Sequence, residues 1–171
     1  MKKYEFTGET KEIRLLFRTA TLHRIRATVA FGIVEVGDLG GWIEKEENLS
    51  HEGKAWVWGN AEVCGNAKVW GNAEVWGNAK VWGNAEVFSA SHVLVIGAIG
   101  SRNDFTTFYR DKDNEITVKC GCFLGKIDRF LEKVTQTHGD SKYALVYRAA
   151  VEVAKLQIDL SGEAPKDADE E

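Results

Sequence analysis

From Gly53 to Phe88 the chain reads GKAWVW GNAEVC GNAKVW GNAEVW GNAKVW GNAEVF, six hexapeptides in tandem. Ala61, Ala67, Ala73, Ala79 and Ala85 each stand two positions before Val63, Val69, Val75, Val81 and Val87. Strand alternation therefore puts each Ala and its Val on one face. A small residue beside a β-branched one suits the inside of a narrow coil built from short extended segments. Gly-Asn recurs where the chain must turn, because both residues visit positive φ at low cost. A six-residue period with these features implies a hexapeptide parallel β-helix, with one hexapeptide per face and three per coil.

The residue between Ala and Val tests the coil number. It alternates Glu62, Lys68, Glu74, Lys80, Glu86. Three hexapeptides per coil bring Glu62 over Lys80 and Lys68 over Glu86, at a strand spacing of about 4.8 Å, whereas two or four would stack like charges. The same arithmetic stacks the outward residue after each Val: Trp58 over Trp76, Cys64 over Trp82, Trp70 over Phe88. Each face then carries exposed aromatic surface, which suggests an oligomer interface, a partner or cover from the rest of the chain. Stacking of good strand residues along the coil is the other account.

The whole chain has 171 residues, a formal net charge of −4, four histidines and three cysteines. That length allows an elongated domain with a small second module. No apolar run is long enough for a bilayer span, and the Met-Lys-Lys start leads into a strand-like pattern with no signal-peptide core, so a cytoplasmic location is expected. Three cysteines do not make a secreted disulfide framework. The acidic balance argues against general nucleic-acid binding.

Residues 1–33 read as short strands, KYEFTG, IRLLFR and TLHRIRATVAF, separated by GETKE and TAT. They form the expected cap over the open end of the coil. Arg14, Arg18, His23, Arg24 and Arg26 make this segment locally basic, either as an anion site or as a solvated polar face. Residues 34–100 form the expected β-helix. Counting back in sixes from Ala55 reaches Leu49 and Ile43, and counting forward reaches Val93 and Ile99, so the coils are expected from about Trp42 to Ile99.

KYEFTGET, LHRIRA, GDLGGWIEKEENLS and the tandem GNAEVW/GNAKVW together resemble proteins of phages, prophages and gut bacteria, and more loosely the proposed YdcK-like transferases of the hexapeptide-repeat class. The resemblance covers about residues 1–99 and implies a left-handed coil. Acyltransferases of that class are typically trimers with a loop histidine as base. His51 and His92 are the histidines of the repeat region, and neither stands in a long excluded loop.

Residues 101–160 follow a different pattern. TTFYR, DKDN and EITVKCG read as a β-hairpin. Ile127, Phe130, Leu131 and Val134 make one helix stripe, closed at His138-Gly139, and Tyr143, Val146, Tyr147, Ala150, Val151 and Ala154 make a second. IGSRNDFTTFYR, KCGCF and HGDSKY resemble a phage module that brings no chemistry with it. The tail, residues 161–171, is acidic and expected to be disordered.

Arg102, Asn103, Asp104 and Tyr109, with His138 brought over the hairpin, are the candidate binding cluster. Arg and Asn donors at a turn can grip a phosphate or carboxylate, and a turn held by Asn and Asp side chains is the alternative. Cys120 and Cys122, on one face of a strand, with His138 offer a thiolate–imidazole pair or an incomplete zinc set; buried cysteine also serves as a small hydrophobe.

Three functions follow. The first is a non-enzymatic binding protein that oligomerises through Trp58, Trp70, Trp76, Trp82 and Phe88. For a phage protein this implies a counter-defence role, either blocking a host immune protein such as a CRISPR nuclease or sequestering a nucleotide signal. The others are an acyltransferase-like enzyme and a structural polymer. No cofactor, metal or membrane partner is expected.

Overall fold

The computed structural model describes residues 1–162, so the acidic-tail expectation lies outside the described residues from 163 on. The fold is mainly strand, with two helices near its C-terminal end. Among the described residues no helix is long and apolar enough to cross a membrane.

Each hexapeptide contributes a two-residue strand: β4 (Trp56–Val57), β5 (Glu62–Val63), β6 (Lys68–Val69), β7 (Glu74–Val75), β8 (Lys80–Val81) and β9 (Glu86–Val87). They pair in parallel, β4 with β7, β5 with β8 and β6 with β9, each partner eighteen residues on. Three hexapeptides therefore separate stacked strands, as the charge alternation required. Every Ala and Val of the repeat is buried. Gly59, Gly65, Gly71, Gly77 and Gly83 take φ between 56° and 75°, so the glycine alone supplies the left-handed corner and its Asn does not.

Glu62 lies against Lys80 and Lys68 against Glu86 in register, yet neither couple is an ion pair. Glu62 instead meets Lys11 at 3.6 Å and Glu86 meets Arg110 at 3.8 Å. The end modules thus take the charges that the repeat offers.

The first turn of the coil departs from the count in sixes. Ile43 pairs with Val63 and Leu49 bridges to Val69, offsets of twenty residues. Both occupy Val slots rather than the Ala slots that counting back from Ala55 assigns, and the extra two residues fall between Leu49 and Val57. At β3 (Leu39–Ile43) a Cβ on Gly40 would come within 2.7 Å of the Val57 carbonyl oxygen, and one on Gly41 within 2.6 Å of that of Ala61. The Gly-Gly pair is what lets this strand close on the coil.

The N-terminal segment is one hairpin. β1 (Tyr4–Arg14) runs through the GETKE expected as a separator and pairs antiparallel with β2 (Thr19–Ala27). Gly8, at φ 92°, accompanies an irregularity between Phe6 and Thr10 that lets the strand continue. β2 pairs with β3, giving a sheet ordered β1-β2-β3-β5-β8. Tyr4 closes this end, its hydroxyl donating to the carbonyls of Glu46 and Leu49 at 3.0 and 2.8 Å. Beneath it Trp56, in a slot that elsewhere holds Glu or Lys, is fully buried against Tyr4, Phe31 and Trp58.

The other end is closed by the C-terminal module. The parallel pairing stops at Val87. β10 (Val93–Ile99), expected as a continuation of the coil, instead pairs antiparallel with β11 (Asp104–Arg110). Its VLVIGAI lacks the Gly-Asn corner, and the apolar, mostly β-branched Val93–Ile96 extends where the coil would have to turn. β12 (Ile116–Cys120) and β13 (Phe123–Lys126) complete a sheet ordered β10-β11-β12-β13, covered by α1 (Ile127–His138) and α2 (Lys142–Gln157). Alternation along β11 serves two cores: Phe108 packs with Phe130 and Val151 under the helices, and Tyr109 packs into the coil.

Candidate functional site

Two hollows meet at the β12–β13 turn, where Gly121, Cys122 and the adjoining Phe123 line both. The smaller, of about 130 Å³, lies between that turn and the helices and is lined by Arg102, Cys120, Cys122, His138 and Tyr147 among others. Four residues singled out from sequence therefore do come together. Arg102 lies along the turn, its Nη1 2.8 Å from where a Cβ on Gly121 would stand. Cys120 is half-buried and accepts from the Thr106 hydroxyl at 3.4 Å. Burial, and then the neighbouring Cys120, pushes the Tyr147 phenol up to about 12, so it stays protonated. The His138 ring lies 5.9 Å from Tyr143 and 5.7 Å from Tyr147.

The other members of that cluster go elsewhere. Tyr109, expected beside Arg102, is fully buried with its hydroxyl bonded to the Trp82 carbonyl, because strand alternation turns it into the end of the coil, opposite the face of Phe108 that packs under the helices. Asn103 occupies the turn at φ 50°, its N–H donating to the Gly100 carbonyl, and Asp104 accepts from the next backbone N–H. These are turn-holding roles. Cys122 is not on a strand face with Cys120 but is the exposed second residue of the two-residue turn. Among the described residues no three His, Cys, Asp or Glu converge as a metal site.

The larger hollow is a groove of about 1030 Å³ across the Cys64–Trp82 face of the coil. One wall is the β1–β2 turn, Leu15 to Arg18; the floor is Lys80 and Trp82; the opposite wall is Lys119 with Phe123 and Leu124. The first wall is anchored. Arg18 donates to both oxygens of Glu44, at 2.5 and 3.0 Å, and Glu44 accepts from the Gly65 N–H at 2.7 Å. The Arg18 bonds hold the Glu44 carboxyl below its usual range. Ile13 and Leu15 cover Trp42, Cys64 and Trp82, while Leu16 and Phe17 stand out, Phe17 being 94% exposed.

Lys119 is only 5% exposed. Its ammonium bonds to the Gly121 carbonyl and lies 4.4 Å from the centre of the Trp82 ring, with that of Lys80 5.7 Å from the same ring. Burial, then the Lys80 charge, lowers the pKa of Lys119. Cys64 beneath is inert: burial, then Glu44 and Glu62, pushes its thiol up to about 12.

The stacking arithmetic for the aromatics holds: Trp58 and Trp76 lie parallel at 4.7 Å and Trp70 and Phe88 tilt together at 4.9 Å, while Cys64 and Trp82 share one buried cluster. The exposure expected on all three faces is lost on one, reduced on a second and kept on the third. Trp82 is 8% exposed under the hairpin, and Phe88 is covered by Arg110 at 4.9 Å and His92 at 4.4 Å. Trp76, at 48%, remains open. The two repeat-region histidines are bound into the structure, His51 Nδ1 accepting from the Lys3 N–H and His92 Nδ1 from that of Phe88.

Sequence reasoning missed the groove because its parts come from residues 13–18, 62–83 and 119–124. One signal was present: Leu15-Leu16-Phe17 is an apolar run between arginines that no single strand face can bury. No family model and no curated protein matches the chain.

Proposed function

We propose that this chain is a non-enzymatic binding protein in which a short left-handed parallel β-helix is the rigid spacer and the two end modules form the jaws. The reading rests on one observation, the groove of about 1030 Å³ that hairpin tip, coil face and β12–β13 turn enclose together. A groove walled by Leu16, Phe17 and Leu124, all exposed, suits a macromolecular partner that covers them more than a small ligand that would leave them wet. Acyl transfer finds less support, since the Nδ1 atoms of His51 and His92 are already committed to backbone N–H groups. The same reading makes the Trp58–Trp76 face the self-association surface. The resemblance to phage proteins supplies a setting, the bacterial cytoplasm, and a partner class, a host immune protein such as a CRISPR nuclease.

The test is phage plaquing on cells that carry a CRISPR nuclease and express this chain. The intact chain should restore plaques, and Leu16→Asp with Phe17→Asp should abolish the effect at unchanged melting temperature. Loss of the effect in Cys120→Ser with His138→Ala, and its survival in the groove variant, would move function to the small hollow.

A further inference from the structure

The groove carries a charge pattern that the chain as a whole does not. The chain is acidic, at −4, yet among the described residues the groove is lined by Arg14, Arg18, Lys80 and Lys119 against one carboxylate, that of Glu62. Arg18 is neutralised by Glu44, and Glu62 by Lys11. That leaves Arg14, Lys80 and Lys119 without an ion pair among the described residues. Lys119 is the informative one. A nearly buried ammonium ordinarily has a carboxylate beside it, because desolvating an unpaired charge is costly. Here its one hydrogen-bond partner among the described residues is the Gly121 carbonyl; the stronger nearby charge, that of Lys80, is of its own sign, and the Glu62 carboxylate, whose ion pair is with Lys11, acts on it more weakly. Two ammonium groups set against one indole ring, where the floor of the groove meets its wall, form an incomplete electrostatic arrangement that an incoming anion completes.

We infer that Lys80 and Lys119 receive a carboxylate side chain from an acidic protein segment whose flanking apolar residues cover Leu16, Phe17 and Leu124. This rests on the groove reading above and adds the chemistry of the partner. The hairpin tip of a second copy is disfavoured as the occupant, since it would bring Arg14 and Arg18 against the two lysines. A nucleic acid is disfavoured as well. Three free cations neutralise little of a polyanion, and Trp82 is too covered to stack on a base.

The experiment is selection of a random peptide library on the immobilised, full-length chain, with affinities of enriched peptides measured by calorimetry. Enriched sequences should carry Asp or Glu between apolar residues. Lys80→Gln and Lys119→Met, each checked for an unchanged melting temperature, should each weaken binding about tenfold, and added salt should weaken it further. Should Lys119→Met fail to fold, Lys80→Gln with Arg14→Gln takes its place, with the same loss expected. Enriched peptides that need Leu16 and Phe17 but carry no carboxylate, or bind the lysine variants equally well, overturn the inference and leave the groove reading standing. Failure to enrich any peptide sensitive to Leu16→Asp with Phe17→Asp overturns both. A particle mass that doubles with concentration through these lysines, or tighter capture of a single-stranded DNA probe, also overturns the inference.

Discussion

At the scale of single residues, the chain's two repeat-region histidines act as structural acceptors, and that makes them acid-sensitive. Each Nδ1 receives a backbone N–H, which a protonated ring nitrogen cannot do. Both pKa values are lowered, chiefly by burial; Glu46 opposes the shift at His51, and Arg110 adds to it at His92. A histidine whose folded pKa lies below its unfolded one makes the unfolded chain bind the extra proton first, so stability is full above about pH 6.5 and falls as pH drops below it. The melting temperature should therefore decline from pH 7.5 to 5.5, and His51→Asn with His92→Asn, which keeps an acceptor, should flatten that decline. An unchanged slope in the variant would place the acid sensitivity elsewhere. Little of this was legible, because a histidine's partner is set by the fold: His51 and His92 stand in ordinary polar stretches of sequence. Tyr109 misled for a related reason. Its neighbours are typical of a two-faced strand, and nothing local says that one face looks into the end of a coil.

At the scale of elements, the hexapeptide was the most legible part, since Ala, Val and the glycine corner each have one physically sensible position. The prediction that follows is a contrast between neighbours. Val75→Asp puts an unpaired charge into a closed core, at a cost on the order of several kcal/mol. Glu74→Ala, at a half-exposed position with no ion pair among the described residues, should cost about 1 kcal/mol or less. Equal melting temperatures would mean that the inward and outward assignment is wrong. The ends of the repeat were less legible. Ile43 and Leu49 are large enough for Val slots and fall on a count of six from Ala55, so the two-residue insertion before Val57 left no trace in the period. Val93 to Ile99 satisfied the count equally well and went to another sheet, because hydrophobic spacing does not record whether a chain turns. Trp56 is the converse case: an aromatic in a Glu/Lys slot marks where a cap must sit, and Tyr4 and Phe31 do sit there.

At the scale of the whole molecule, the caps do more than close the coil. They bury Trp82, leave Trp70 and Phe88 half-covered, and leave Trp76 open over Trp58. If that face joins copies of the chain, Trp76→Glu should lower the particle mass in light scattering, and a monomer for the unmutated chain would refute self-association there. The groove could not be read from sequence because its walls lie more than a hundred residues apart, and Lys80 and Lys119 look like solvated lysines until the fold buries one and sets both against Trp82. The central claim is that a partner sits between those walls. It is tested most directly by a photo-crosslinking amino acid placed at Phe17, at Leu124 or, as a control outside the groove, at Val36, in cells where the chain is active. The account predicts one covalent adduct of the same mass from Phe17 and Leu124 and none from Val36. Adducts from neither wall, or an equal yield from Val36, would contradict it.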